Sequence, residues 1–175
     1  MLEPMGDRDS SHHLVRYLKH VRRELRRAVE GMSQGDLEQR VQGINSVAWM
    51  VGHLSWQEQR YWLEPRGEPI IADYLAAYAN GAPAMTSPQH SFAELYAVWE
   101  SVTEASNPWL ESLSGHDLRM HFQGRRLFEV ENVGSLMTRV IGHYYLHIGQ
   151  ITVVRKLLGY PVPSFVGLQE AAYFE

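Results

Sequence analysis

His143 and His147 have the residue type and the spacing best suited to chemistry in this sequence. Residues four apart lie on the same face of an α-helix, with Cβ atoms about 5–6 Å apart, so two imidazoles at that spacing can bind one metal ion. The residues that share their helical stripe are apolar, so both rings are predicted to face a core, where an unpaired polar group is costly. These apolar residues are Leu136, Val140, Ile151, Val154 and Leu158.

His53 is the third candidate ligand, and it lies in a segment that is apolar nearly all round. One ligand from one helix and an i, i+4 pair from another is a common way to build a metal site in a helical bundle. Three neutral imidazoles bind Zn²⁺, Ni²⁺ or another first-row divalent ion, and they leave a coordination position open to water or substrate. Spacing alone does not show that the two helices face each other. The alternative is that each histidine is hydrogen-bonded within the core.

Three polar residues near the histidines in the sequence have predicted positions or contacts of their own. Gln150 is expected to hydrogen-bond a ligand imidazole or a metal-bound water, or else to form a buried hydrogen bond between helices. Tyr144 is expected in the core, and Glu58 on a face that contacts solvent. Without a carboxylate beside the histidines, the sequence favours a metal-activated thiolate or water over a dedicated general base.

Two further groups of residues are predicted to have structural roles. The aromatic residues of the second helix are expected in the core, with the wall of a pocket beside the metal as the alternative; they are Trp49, Trp56, Tyr61 and Trp62. The other histidines are expected to lie away from the site, with His121 the least improbable exception; they are His12, His13, His20, His90, His116 and His121.

Four long helices are predicted to position the candidate ligands. The first spans residues 10–31, with Ser10 or Ser11 as its N-cap and Gly31 just after its C-terminus. A polar turn follows at residues 33–36. The second helix begins near Asn45 or Ser46 and is predicted to stop sharply at residue 64, because the residue before a proline disfavours helical geometry.

The second half of the chain is predicted to hold the other two helices. A capping box at Ser91 and Glu94 begins the third helix, and Pro108 is expected to kink or interrupt it near Asn107. The fourth helix spans residues 132–158 and ends at Gly159. Residues 65–90 are predicted to form a long connection with a short helix at 70–78, and residues 119–130 a small hairpin. Residues 164–175 are expected to pack on the body or on a neighbouring chain.

These elements predict an all-α fold: a four-helix bundle with a long connection between helices 2 and 3, formed by residues 1–175 as a single domain. The chain has 175 residues, of which 45% are hydrophobic and 21% charged. No apolar run is long enough to span a membrane, and the first residues are unlike a secretory signal, so the expected compartment is the cytoplasm. The sequence contains no cysteine, which excludes disulfides, thiolate metal sites and a nucleophilic cysteine of the protein's own.

The net charge of −4 argues against general nucleic-acid binding. Basic residues nevertheless crowd the first helix, where a solvated face is the first interpretation and a site for an anionic ligand or partner the second. These residues are Arg16, Lys19, Arg22, Arg23, Arg26 and Arg27.

Two sequence motifs resemble those of the DinB/YfiT-like superfamily. Residues 45–54 read NSVAWMVGHL and residues 142–151 read GHYYLHIGQI, similar to that family's H-x-x-x-H-x-G-Q-I helix. The resemblance extends over the whole chain in order and length. It implies a four-helix bundle in which His53, His143 and His147 bind a divalent metal, often nickel or zinc, and frequently a homodimer. It also implies kinship with transferases and isomerases that use low-molecular-weight thiols such as bacillithiol or mycothiol; DNA repair is not implied.

The leading hypothesis is therefore a metal-dependent thiol transferase or isomerase. Its partners would be a small-molecule substrate and a low-molecular-weight thiol that binds the metal as thiolate. The chain's lack of cysteine agrees with an external thiol. The alternatives are a non-catalytic protein that binds a metal or a small ligand, and a structural or interaction bundle without metal. No catalytic residue beyond the metal ligands is assigned.

Overall fold

The computed structural model describes residues 11–82, 85, 89–123 and 129–164. Within these residues the α-helices are α1 (His13–Val29), α2 (Gln34–Glu38), α3 (Val47–Glu58), α4 (Phe92–Ser112) and α5 (Val133–Leu157). Helix α1 packs along α5 and helix α3 along α4, while α3 also touches α5. The described residues form no strand, and their β-structure is limited to one isolated bridge between Val41 and Ile44. The predicted all-α helical bundle is confirmed.

Helix α1 differs from its prediction at the N-terminus and agrees with it at the C-terminus. The N-cap is His12, whose Nδ1 accepts a hydrogen bond from the backbone N–H of Leu14, so Ser11 is not the cap; Ser10 lies outside the described residues. Gly31 follows the C-cap residue with φ +75°, the left-handed conformation that favours glycine after a helix. The apolar face of α1 lies in the core, where Leu18, Val21, Leu25 and Ala28 are fully buried.

The basic residues of α1 are mostly paired within the protein. Several of them form ion pairs with carboxylates of other elements or of α1 itself. Neither of the two interpretations made from the sequence, a solvated face or a site for an anion, predicted these pairs. The ion pairs are Lys19–Glu111, Arg22–Glu58, Arg26–Glu100 and Arg27–Glu24. Only the Arg22–Glu58 pair is buried on both sides.

The predicted polar turn at residues 33–36 is wrong, because these residues begin the short helix α2. Ser33 caps it, with its Oγ accepting a hydrogen bond from the N–H of Asp36. The hydroxyl of Tyr160 donates to the Asp36 carboxylate at 2.6 Å, and α2 is thereby tied to the segment after α5.

Helix α3 begins as predicted but does not end as predicted. Ser46 is its N-cap, and nearly every residue of the helix is buried, as its apolar composition indicates. The chain then continues as a π-helix, Gln59–Leu63, and a 3-10 turn, Glu64–Arg66. Glu64 keeps helical angles (φ −55°, ψ −45°), so the predicted sharp stop is wrong. Pro65 is accommodated because the first turn of a helix does not use the N–H that proline lacks.

Helix α4 has the predicted capping box, with both reciprocal hydrogen bonds between Ser91 and Glu94 present. Of the two effects predicted for Pro108, the interruption is wrong, since the helix continues to Ser112, and the kink stays a prediction. Packing on both sides of the proline holds this helix in place. Asn107 accepts a hydrogen bond from Arg22, and Leu110 is buried in the core.

The connections are described in part. Residues 73–78 form a 3-10 helix, Asp73–Tyr78, which confirms the short helix predicted at 70–78. The first half of the predicted hairpin forms no strand, and its second half, residues 124–128, lies outside the described residues, as do residues 165–175 of the tail. Helix α5 has the predicted bounds, with Asn132 as its N-cap and Gly159 (φ +78°) after its C-terminus.

Candidate metal centre

Helices α3 and α5 bring the three predicted histidines together. The ligand-capable atoms of His53, His143 and His147 all lie within 4.8 Å of one another. The Nε2 atoms of His143 and His147 are 3.0 Å apart, and the ring of His53 lies 4.9 and 5.4 Å from theirs, centre to centre. His53 and His147 are buried and His143 is half-buried, so the group sits at the edge of the core.

Each of the three rings is held at its Nδ1 atom by an oxygen acceptor. A backbone carbonyl accepts from one ring and a glutamine amide oxygen from each of the other two. The pairs are His53 with the carbonyl of Tyr78 at 2.7 Å, His143 with Oε1 of Gln57 at 2.7 Å and His147 with Oε1 of Gln150 at 2.8 Å. Acceptors at Nδ1 place the proton of a neutral imidazole there, which leaves the lone pair of each Nε2 available.

This arrangement fits a divalent metal ion. Two Nε2 lone pairs 3.0 Å apart repel each other unless a cation lies between them. Metal–nitrogen bonds of about 2.0–2.1 Å hold two ligand nitrogens about 3 Å apart in tetrahedral or octahedral geometry. Outer hydrogen bonds from the ring N–H to an oxygen acceptor are what ligating histidines almost always make.

The pKa values of the three rings are lowered, chiefly because burial disfavours the charged imidazolium. The pKa of His143 falls to about 4, with repulsion from His53 and Arg139 adding to desolvation. The pKa of His147 falls to about 3, again through burial and the two neighbouring histidines. Burial also lowers the pKa of His53, against the hydrogen bond to Tyr78. All three rings are therefore neutral near pH 7, the form that binds metal.

Aromatic side chains flank the ring of His53 on α3. The ring of Trp49 stacks on it at 4.8 Å and 10°, and that of Trp56 stacks at 5.5 Å and 26°. Trp62, in contrast, is fully buried and lies near Trp109 in the core. The predicted core position is therefore confirmed for Trp49, Tyr61 and Trp62, while Trp56 is half-buried beside His53.

Two of the oxygen acceptors were not predicted. Gln57 follows His53 by four residues on the same helix, a spacing that could have identified it as a neighbour of the site. The carbonyl of Tyr78 comes from the connection between α3 and α4, and no sequence pattern marks it. Gln150 hydrogen-bonds a candidate ligand imidazole, which confirms one of the two roles predicted for it.

Glu58 is fully buried, so its predicted solvent-facing position is wrong. Its carboxylate accepts two hydrogen bonds from Arg22, at 2.8 and 2.6 Å, and one from the hydroxyl of Tyr144 at 2.7 Å. Trp99 in turn donates to the Tyr144 hydroxyl at 2.7 Å. Tyr144 thus has the predicted core position. Glu58 follows Gln57 and Tyr144 follows His143, so this network joins residues that are next in sequence to two residues of the candidate centre.

The remaining histidines lie outside the cluster. His12 caps α1, and His116 and His121 are exposed. His90 is connected to the site through Tyr78, whose hydroxyl lies 3.0 Å from Nδ1 of His90. Among the residues that the structure describes, no second group of histidine or carboxylate side chains converges as these three histidines do.

The DinB superfamily model matches residues 17–151, which include all three histidines. The chain belongs to the DinB superfamily. No curated protein matches it. As the sequence predicted, none of the helices described for this DinB protein has the length and apolar character needed to cross a membrane.

Proposed function

We propose that this DinB protein is a metal-dependent transferase or isomerase that uses a low-molecular-weight thiol, with nickel or zinc held by His53, His143 and His147. The single observation that carries the proposal is the convergence of three neutral imidazoles with every Nδ1 atom engaged by an oxygen acceptor. A divalent ion with three protein ligands keeps a position open, where it lowers the pKa of a bound thiol or water and polarises a substrate atom.

The residues around the histidines support catalysis without a carboxylate base. Glu58 is engaged by Arg22 and Tyr144, so it is not free to take a proton from a substrate. The half-buried Trp56 beside His53 offers an apolar surface for a small electrophilic substrate. The protein would supply the tautomer and orientation of its imidazoles, and the incoming thiol would supply the nucleophile.

Metal content is the first test. Protein purified without a histidine tag is analysed for its elements, together with His143→Ala and with His116→Ala as a matched control that removes an exposed histidine. We expect about one divalent ion per chain in the parent and the control, and loss of the ion from His143→Ala with the helical circular dichroism retained. An unchanged metal content in His143→Ala would show that the site is elsewhere.

Turnover is the second test, and it separates the enzyme from a binding protein. Metal-loaded protein is incubated with a model electrophile and each candidate thiol, beside the metal-free protein. Consumption of the electrophile above the metal-free rate supports the proposal. Bound metal without turnover for any thiol would instead favour the non-catalytic binding protein. Absence of metal would favour the structural bundle.

A further inference from the structure

Arg60 lies beside the candidate centre and has no anionic partner among the residues that the structure describes. Its guanidinium is over the ring of Trp56, 5.0 Å from the ring centre, and that ring stacks on His53. The Nε atom of Arg60 is buried and has no hydrogen-bond partner. Burying a charged donor without an acceptor is costly, so this position is suited to a group that the chain itself does not supply.

Other arginines of the described residues are satisfied within the protein. Four of them bind carboxylates: Arg22 with Glu58, Arg27 with Glu24, Arg66 with Glu68 and Arg139 with Glu131. Arg139 also borders the centre, since its charge lowers the pKa of His143, but Glu131 already occupies its guanidinium. Of the two described arginines that border the histidines, Arg60 is therefore the one without a carboxylate partner.

The position of Arg60 follows from the spacing along α3 and its π-helical extension. The residues are spaced by four, three and four from Trp49 to His53, Trp56 and Arg60. The rings of Trp49 and Trp56 stack on that of His53, and a cation–π contact holds the guanidinium of Arg60 over the ring of Trp56. Two contacts, of 5.5 and 5.0 Å between centres, separate it from the ring of His53.

We propose that Arg60 binds a carboxylate of the thiol whose sulfur reaches the metal, an inference that rests on the proposed function. A guanidinium presents a planar pair of donors that matches a carboxylate in two parallel hydrogen bonds. One uncompensated cation suits one carboxylate better than a doubly charged phosphate monoester. The ligand class is thus a thiol that carries a carboxylate several bonds away from its sulfur, so that one molecule spans the two stacked contacts.

Matched ligands and variants test this assignment. Protein loaded with Co²⁺ is titrated with 6-mercaptohexanoate and with 6-mercaptohexanol, which have the same chain and differ in charge. The thiolate-to-cobalt absorption band reports binding at the metal, without any need for turnover. We expect the parent protein to bind the carboxylate thiol about tenfold more tightly, as a charge-assisted bidentate contact implies.

Arg60→Gln should remove this preference and leave both the cobalt affinity and the affinity for mercaptohexanol unchanged. Arg60→Lys should restore part of it, because lysine keeps the charge without the planar fork. Arg66→Gln is the control: Arg66 also lies over a tryptophan ring, that of Trp109 at 4.7 Å, but Glu68 neutralises it. The control should keep the full preference.

The possible failures are distinguishable. A parent protein that binds no cobalt or no thiol would overturn the proposed function itself. Equal affinity for the two thiols in a cobalt-loaded parent, or a preference that persists in Arg60→Gln, would overturn the role of Arg60 alone. A further outcome is that inorganic phosphate competes with the carboxylate thiol at concentrations where acetate has no effect. That result would identify a phosphate as the group that Arg60 binds and would also contradict the inference.

Discussion

A Cβ atom on Gly52 would lie 2.5 Å from Cδ1 of Tyr78, closer than two non-bonded carbon atoms can approach. The glycine is thus what allows the tyrosine ring to pack against α3. The carbonyl of the same tyrosine accepts the hydrogen bond from Nδ1 of His53, the residue after Gly52. Gly52 therefore positions a candidate metal ligand indirectly, through the 3-10 helix that ends at Tyr78.

Replacement of this glycine should weaken metal binding. Gly52→Ala pushes the ring of Tyr78 and its carbonyl away from His53, and loss of such an outer hydrogen bond costs about 10–100-fold in metal affinity. The affinity is measured by competition with a chromophoric chelator. Gly35→Ala in α2 is the control, since a Cβ there meets open space. Equal metal affinity in the two variants would contradict the positioning role.

The side chain of Gln57 should matter for the metal as much as the absence of a side chain at Gly52. Gln57→Leu leaves Nδ1 of His143 without its acceptor, and we expect an affinity about 10–100-fold lower. Gln57→Glu keeps an acceptor oxygen at the same place and should retain tight binding. If Leu and Glu at this position gave the same affinity, the hydrogen bond would have no part in metal binding.

The buried pair of Arg22 and Glu58 should contribute to stability only as long as both partners are present. Glu58→Leu leaves a buried guanidinium without its counter-ion, a change that typically costs about 3–5 kcal/mol in the free energy of unfolding. The double variant Arg22→Met/Glu58→Leu should recover most of that loss, because it removes the stranded charge. Urea denaturation of the metal-free proteins measures both values. A double variant no more stable than Glu58→Leu would contradict this account.

The sequence predicted the pair of His143 and His147 on one helix face because the signals for it are local. The i, i+4 spacing of His143 and His147 and the end signals Asn132 and Gly159 all act within one helix, and α5 has the predicted bounds. The facing position of His53 came from the family resemblance and not from spacing. Periodicity describes one helix at a time, so it does not specify which helices are neighbours.

The errors arose where tertiary contacts override local preference. Glu58 looked solvent-facing because its partner, Arg22, is 36 residues away in sequence. Pro108 is tolerated because packing holds α4 on both sides of it, and the π-helical turn after α3 has no sequence pattern that reports it. The carbonyl of Tyr78 could not have been predicted from residue types, since every residue has a backbone carbonyl.

The homodimer implied by the family resemblance remains a prediction, and we propose the exposed face of α5 as its interface. Leu146, Val153 and Leu157 are 58%, 46% and 44% exposed along this face. Gly142 and Gly149 lie between them with open space where a side chain would be, although glycine within a helix costs about 1 kcal/mol relative to alanine. In an antiparallel pair of α5 helices, Leu146 would face Gly149 of the partner subunit and Val153 would face Gly142 of the partner subunit.

Filling one of these glycines should therefore prevent dimer formation. Gly149→Leu places a large side chain where close approach of the second helix is needed, and sedimentation velocity should show a dimer in the parent protein and a monomer in the variant. Gly35→Leu, on α2, should remain dimeric. A monomeric parent, or a Gly149→Leu variant that still dimerises, would exclude this interface.

The lowered pKa values of the histidines predict that the stability of the metal-free protein depends on pH. An unfolded histidine has a pKa of about 6.5, whereas the pKa is about 4 for His143 and about 3 for His147 in the folded chain. Between these values the unfolded chain binds more protons, so the free energy of unfolding of the metal-free protein should fall as the pH falls below about 6.5. A His143→Leu/His147→Leu variant should lose less stability over the same range.

The same lowered pKa values predict a weak pH dependence of metal affinity. Because protons compete with the metal at His143 only near pH 4 and at His147 near pH 3, metal affinity should stay nearly constant between about pH 7.5 and 5.5. Metal affinity at each pH is measured by competition with a chelator. A decline in affinity centred near pH 6.5 would show that the rings titrate like exposed histidines.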